Sequence, residues 1–339
     1  MRTLKLALLG YGNAGRAYGK LLSAKHSEIK EKYGADIRVT AIATKTNGTL
    51  IDENGIDLDK IEAELNATGK FAGGTDKSAM EVAESAEYDV LIELTPLDIF
   101  SGQPAITHIK TAFSRGKHVI SANKGPIAWA FRELRDMADE KNCLFFYETT
   151  VMDGAPVFNL AEHTLKMCKV LEIRGILNST TNFILEELAK GVSYEDALEE
   201  GRVRGFVEAD PSLDTDGWDA AAKVTALMNV LMDANITPRD INRTGIGNVT
   251  PKQIKDARER GKLIKLICLG KIENGKAVGY VSPEEIDEND LLATITGTSS
   301  VVAITTDLMG TVSIVEHGPE IEETAYGVFG DTLRVIEGR

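Results

Sequence analysis

Residues 4–10 read LKLALLG, and this apolar run stops on the glycines of Gly10-Tyr11-Gly12-Asn13-Ala14-Gly15. A buried strand that ends in a glycine turn and opens a helix has few folds available. It belongs in a sheet covered on both faces, where the next parallel strand is reached through a crossover. The first 150 residues keep that rhythm. RVTAIAT (38–44), DVLIEL (89–94), KHVISA (117–122) and CLFFYE (143–148) are apolar strand candidates, with helical patterns near 76–86, 103–115 and 130–141. The alternation predicts an α/β domain with a Rossmann-type parallel sheet.

After residue 150 the pattern changes. KVLEIRGILN (169–178) reads as a strand, and helical runs cover about 181–190, 194–204 and 217–233. LIKLICLGKI, ENG and KAVGYVS then form a hairpin pattern, followed by strands near 301–306 and 311–315. This predicts an α+β second domain over 151–321. A last amphipathic helix near 322–337 carries Val328, Phe329, Leu333 and Ile336, and that face needs a partner. The expected division is 1–150, rejoined by 322–339, and 151–321.

The glycine pattern GxGxxG is weak alone but sits here between a strand and a helix, the context that binds a dinucleotide. Gly10 permits the tight turn, Gly12 lets backbone approach a pyrophosphate, and Gly15 permits close helix packing, with Asn13 and Ala14 at the helix start. A site selective for a free ribose 2′-hydroxyl places an acid at the end of the second strand. This chain has Thr44-Lys45-Thr46-Asn47 there, with no carboxylate. Lys45 can pair with a 2′-phosphate, which favours NADP and leaves NAD open. Thr44 or Asn47 could instead bond a ribose hydroxyl.

The totals exclude some classes. Thirty-eight basic against fifty-two acidic residues give a net charge of −14, which disfavours nucleic acid and anionic membrane as partners. No apolar run approaches the length of a membrane span, and the N-terminus lacks a cleavable leader pattern. Cys143, Cys168 and Cys268 are far apart and show no metal spacing. Buried free thiols in a reducing cytoplasm are the expectation.

Five carboxylates, Glu208, Asp210, Asp214, Asp216 and Asp219, fall within twelve residues of EADPSLDTDGWDAAAK (208–223) and precede Lys223. An EF-hand loop needs glycine at its sixth place and glutamate at its twelfth. From Asp210 those are Thr215 and Ala221, and from Asp214 they are Asp219 and Thr225, so calcium is excluded. Asp219 and Lys223 stand four apart, which by itself fits an exposed helix pair contributing about 0.3–0.5 kcal/mol. The alternative is a site for an amino acid bearing a carbonyl. Carboxylates would hold the ammonium, and lysines would hold the carboxylate and protonate the oxyanion. SANKGP (121–126) follows a strand of the first domain, so Lys124 supplies a second cation at the ligand end of that sheet.

With these residues in view the chain resembles the homoserine dehydrogenases. GYGNAG, ELTP (93–96), GKHVISANKGPIA (116–128), YETTVMDGAPV (147–157), GILNSTTNFILEEL (175–188), GFVEADPSLDTDGWDAAAK (205–223) and TAYGVFGDTLRVI (324–336) carry the resemblance, in order and spacing. It implies reversible NAD(P)H-dependent reduction of L-aspartate 4-semialdehyde to L-homoserine, on the route to threonine and methionine. It further implies a cytoplasmic homodimer built from the second domain's sheet, with the last helix returned to the first domain. By motif, Lys223 is implied as general acid/base, Lys124 as a second substrate- or proton-handling lysine, and Glu208 and Asp219 as ligands of the amino and hydroxyl end. Asp214 and Thr180 are implied to line the pocket, and Thr95 and Ser121 to Asn123 the nicotinamide side. Some relatives hold a monovalent cation at positions matching Glu148, Val151, Asp153 and Ala155. Asp153 stands where the family has a small residue, and the glycine-rich turn before the last helix reads EHGPEIEETA here, keeping Gly318. The alternative is a related dehydrogenase for another amino or hydroxy acid.

Overall fold

The computed structural model describes residues 2–207 and 210–338. The chain divides into two compact units, Met1–Pro156 with Glu320–Arg339, and Val157–Pro319. The breaks fall six residues after and two residues before the expected boundaries at 150 and 321, and each unit is described by itself.

The first unit runs β1 (Arg2–Leu9), α1 (Asn13–Tyr33), β2 (Ala35–Ala43), β3 (Thr49–Ile51), α2 (Leu58–Thr68), α3 (Ala79–Ser85), β4 (Val90–Glu93), α4 (Ala105–Ser114), β5 (His118–Ser121), α5 (Lys124–Glu140) and β6 (Phe145–Phe146). The sheet order is β3-β2-β1-β4-β5-β6. All pairings are parallel except the short β3, which folds back against β2. Leu4, Leu6 and Leu8 point into one core, and Ala7 and Leu9 into another. That two-sided burial is why β1 reads as an unbroken apolar run.

Local chemistry moves some boundaries. The helix expected over 130–141 begins at Lys124, because the Asn123 side chain accepts from the Gly125 amide and caps it. A non-helical residue, Ala130, kinks it. The strand expected over 143–148 is only Phe145–Phe146, and Glu148–Thr150 is already a 3₁₀ turn.

The second unit runs α6 (Val157–Thr164), β7 (Val170–Ile176), α7 (Ser179–Ala189), α8 (Tyr194–Val203), α9 (Ser212–Thr215), α10 (Trp218–Met232), β8 (Asn242–Arg243), α11 (Pro251–Glu259), β9 (Lys262–Glu273), β10 (Lys276–Asp287), β11 (Ser300–Thr306) and β12 (Gly310–Glu316). Its sheet has the order β12-β11-β7-β9-β10-β8 and is antiparallel except for β8. The β9–β10 turn is Asn274-Gly275, both with positive φ, as a two-residue hairpin requires. Ile304, Ile173, Gly270 and Gly279 share one row across the sheet, and Met228 of α10 packs on the two glycines. On the opposite face the row Ala303, Arg174, Leu269 and Tyr280 is only half-buried.

The final helix, α12 (Ile321–Glu337), belongs to the first unit. Its Val328, Phe329 and Val335 join the core of Leu4, Leu6 and Leu8, with Leu333 and Ile336 packed alongside. Tyr18 of α1 and Thr332 share a buried hydrogen bond of 2.8 Å. The amphipathic face seen in the sequence therefore has its partner in α1. Cys143 and Cys268 are buried free thiols, whereas Cys168 is only half-buried.

Candidate functional site

In the first unit the candidate residues gather at the carboxyl ends of β1, β4 and β5. Gly10 has φ +99°, and a Cβ there would fall 2.4 Å from the Leu94 carbonyl oxygen, so the turn is pinned against the end of β4. Around the Cβ direction of Gly12 there is nothing within 4 Å, which leaves backbone open to a ligand. α1 begins at Asn13 with no side-chain cap and no acid in its first turn. Its Asn13, Ala14 and Gly15 amides thus form an N-terminus suited to an anion. These features fit a dinucleotide pyrophosphate.

At the end of β2, Lys45 is exposed. The Thr44 hydroxyl donates to the Gly48 carbonyl at 2.9 Å and accepts from the Asn47 amide at 2.8 Å, so it serves first to close its own loop. Ser121 donates from its hydroxyl to the Asn123 carbonyl at 2.9 Å, and the Asn123 side-chain amide donates to the Thr95 carbonyl at 3.0 Å. Lys124 is the first residue of α5, half-buried beside this cluster.

The expected cation positions lie in the loop after β6. Asp153 has φ +39°, and its carboxylate accepts from Thr324 of α12 at 2.6 Å. The Glu148 amide donates to Asp331 at 3.0 Å, and its side chain is buried, as are Val151 and Ala155. The Asp153 carboxylate therefore ties the loop to α12. Among the described residues no cluster of three or more His, Cys, Asp or Glu side chains could hold a metal ion.

The second unit assembles the other candidates around Asn178, the cap of α7. The Asn178 side-chain oxygen accepts from the Thr181 amide and hydroxyl, each at 2.8 Å. Its amide nitrogen donates to Asp214 at 2.7 Å and to Asp219 at 2.9 Å. One amide thus holds two carboxylates from α9 and α10. Lys223 donates to the Leu177 carbonyl at 2.7 Å and stands 3.5 Å from Asp219. The side chains of Lys223 and Asp219 are only 19% and 15% exposed, which removes the solvated-pair reading of their spacing. Burial, and then the charge of Asp219, push the Asp214 carboxyl above its ordinary value. Burial pushes the adjacent Cys268 thiol up to about 12, which keeps it protonated and inert.

Thr180 is buried on α7, its hydroxyl directed to the Phe206 carbonyl at 3.4 Å. Gly318 has φ +52° and donates its amide to Ser299 at 3.1 Å, within this second unit. Asp210 and Asp216 are exposed, Asp210 closing a turn onto the Ser212 amide. Glu208 lies outside the described residues. Sequence reasoning missed Asn178. Its visible signal was the cap pattern of asparagine before STTN, but nothing in the sequence said which acids it would meet.

A lysine held by a carbonyl and a carboxylate, beside a paired acid cluster, suits proton transfer to a bound carbonyl oxygen. The homoserine dehydrogenase family model matches residues 156–333. The homoserine dehydrogenase of Methanocaldococcus jannaschii is 36% identical over 98% of this chain and 98% of its own length. The chain belongs to the homoserine dehydrogenase family. The NAD(+)-dependent homoserine dehydrogenase of Pseudomonas canavaninivorans is 32% identical over 99% of this chain and 97% of its own. A hyperthermophilic archaeal homoserine dehydrogenase solved in complex with NADPH superposes with a TM-score of 0.84 at 27% identity, covering 98% of this chain and 97% of that one.

Membership of the homoserine dehydrogenase family makes the chain an NAD(P)-dependent oxidoreductase acting on a CH–OH group. The reaction expected from the sequence, reversible reduction of L-aspartate 4-semialdehyde to L-homoserine, is the one the family name denotes. A dehydrogenase for another amino or hydroxy acid is not favoured.

Proposed function

We propose that this homoserine dehydrogenase uses Lys223 as general acid in aldehyde reduction and as general base in homoserine oxidation. The observation that carries this is the fixed ammonium of Lys223, held by the Leu177 carbonyl and next to Asp219. A nicotinamide bound there would supply or take the hydride. Lys223 then gives its proton to the oxygen that gains charge at the former aldehyde carbon, and recovers it in the reverse direction. Asp219, aligned by Asn178, holds the lysine in place. Asp214 shares that amide and narrows the pocket with Thr180. Glu208 pairs with the substrate ammonium, and Lys124 holds the substrate carboxylate or assists the proton.

For the cofactor, the glycine turn and the α1 N-terminus would hold the pyrophosphate, and Thr95 and Ser121 to Asn123 the nicotinamide side. Lys45 favours NADP(H), with NAD(H) also accepted. The two relatives named for NAD(+) and solved with NADPH show that the family uses both. Backbone carbonyls of the 148–155 loop would hold a monovalent cation. The half-buried row Ala303, Arg174, Leu269 and Tyr280 supports a homodimer formed through this open sheet face. No helix among the described residues is long and apolar enough to cross a membrane. A cytoplasmic role in threonine and methionine biosynthesis completes the reading.

The test is homoserine-dependent formation of reduced cofactor, measured with NADP and NAD in parallel. Aspartate 4-semialdehyde is run in the reverse direction against a panel of carbonyl amino acids. Turnover of another member of that panel at a higher kcat/KM would overturn the substrate assignment.

A further inference from the structure

The end of β4 carries an acid that the reading above does not use. Glu93 is fully buried at 0% exposure, and His108 of α4, facing it, is 3% exposed. Their Oε2 and Nδ1 atoms are 2.8 Å apart. The other oxygen of Glu93 accepts the Thr95 amide at 2.8 Å and also the Thr95 hydroxyl, in a short contact. The Thr95 carbonyl is bound by Asn123. The amide, the carbonyl and the hydroxyl proton of Thr95 are all engaged.

Thr95 also sits at the turn that the glycine motif makes. Leu9 and Glu93 are paired in the sheet, and the Leu94 amide donates to the Leu9 carbonyl at 2.7 Å. A Cβ on Gly10 would come within 3.0 Å of the Thr95 nitrogen. This is the point where strand order reverses between β1 and β4, the place for a ligand in such sheets.

A buried carboxylate at the end of a core strand is costly unless its lone pairs are filled. Here the partners are Thr95, twice, and His108. A hydroxyl has one proton and two lone pairs, and Thr95 has committed its proton to Glu93. Toward a ligand its oxygen can only accept. We propose that the Glu93–His108 pair is a positioning device, fixing the Thr95 hydroxyl as acceptor for the carboxamide N–H of a bound nicotinamide. This anchors the carboxamide on one side of the ring and so opposes rotation about the glycosidic bond, which would exchange the ring face offered for hydride transfer. The proposal rests on the reading, given above, that Thr95 lines the nicotinamide side.

The test compares kcat/KM for the natural oxidised cofactor with that for its 3-acetylpyridine analogue, which replaces the carboxamide NH₂ with a methyl group. Intrinsic differences between the two dinucleotides cancel when the ratio is compared across variants. Thr95→Val and Glu93→Leu should each lower the wild-type preference for the carboxamide by about three- to ten-fold, the loss of one hydrogen bond. Glu93→Gln keeps an oxygen for Thr95 and turns its N–H toward the histidine ring, so it should restore most of the preference. Calorimetric binding of 2′-phospho-ADP-ribose, which lacks the nicotinamide, should be unchanged in all three.

An unaltered ratio in Thr95→Val would refute the nicotinamide contact, and the proposal with it. A shift in Thr95→Val with none in Glu93→Leu would refute the positioning device alone. Equal losses for both dinucleotides, together with weaker 2′-phospho-ADP-ribose binding, would reduce Glu93 to a general stabiliser of the fold and overturn the proposal. If Glu93→Leu does not accumulate folded, His108→Leu reads the same ratio by stripping one partner from Glu93. It must shift in the same direction, or the proposal fails.

Discussion

The two units prepare their candidate sites with different materials. The first offers backbone: an uncapped helix end, a glycine with open space where a Cβ would stand and a turn pinned to a strand carbonyl. The second offers side chains, two carboxylates and a lysine drawn together by one asparagine and one carbonyl. A backbone site tolerates many side chains but depends on glycine. A side-chain site depends on the charge of each member. Substitutions in the second unit should therefore strike the chemical step or substrate affinity, and those in the first, Lys124 apart, should strike the dinucleotide.

The largest effect should come from Lys223. Lys223→Ala is expected to lower kcat by about 10²–10⁴-fold, as for loss of a positioned general acid, with an unchanged circular dichroism spectrum. Lys124→Ala should lose less in kcat. A near-native kcat in Lys223→Ala, or a larger loss at Lys124, would move the proton to the first unit.

Next comes Glu208. Glu208→Gln removes a charge-assisted bond worth about 1.5–3 kcal/mol, so homoserine KM should rise about ten-fold or more. Cofactor KM should hold. A change confined to cofactor KM would erase the division of labour between the units.

Lys45 gives the matching test in the first unit. Lys45→Ala should weaken NADP(H) about ten-fold and leave NAD(H) nearly unaltered. Calorimetry with both cofactors decides this, and equal losses would mean that the loop does not discriminate between them.

The smallest effect concerns stability. The Asp214 carboxyl is raised in the folded state, first by burial and then by Asp219. Between the free-carboxyl value and the raised one, the folded chain therefore holds a proton that the unfolded chain has released. That stabilising contribution is complete below the free-carboxyl value of 3.8 and is lost as pH rises through the raised folded value. Asp214→Asn should melt above wild type at pH 7, and the gap should close on acidification. A Tm difference independent of pH would show that the carboxylate is not under strain.

Much of this comparison was legible beforehand, for a physical reason. Glycine turns and β-α alternation are local, and they placed β1, the phosphate loop and the parallel sheet. α5 starts six residues ahead of the helix that periodicity predicts over 130–141, because Asn123 caps it at Lys124. The cap pattern Thr250-Pro251-Lys252-Gln253 is likewise a local signal, and it opens α11. Asn178 and the Glu93–His108 pair could not be read in this way. Their partners lie 36, 41 and 15 residues distant, and only the folded chain brings them together.

The return of α12 to the first unit also fixes an order of events in synthesis. Thr332 is the buried partner of Tyr18, 314 positions earlier. A ribosome delivers the whole second unit before the helix that covers α1 appears. Until then the apolar side of α1 around Tyr18 and Leu22 has no lid, while Val157–Pro319 can close on itself as an uninterrupted stretch. The nascent chain can thus complete its middle before its beginning. A chain halted before Ile321 should present a protease-resistant second unit attached to a protease-sensitive first one.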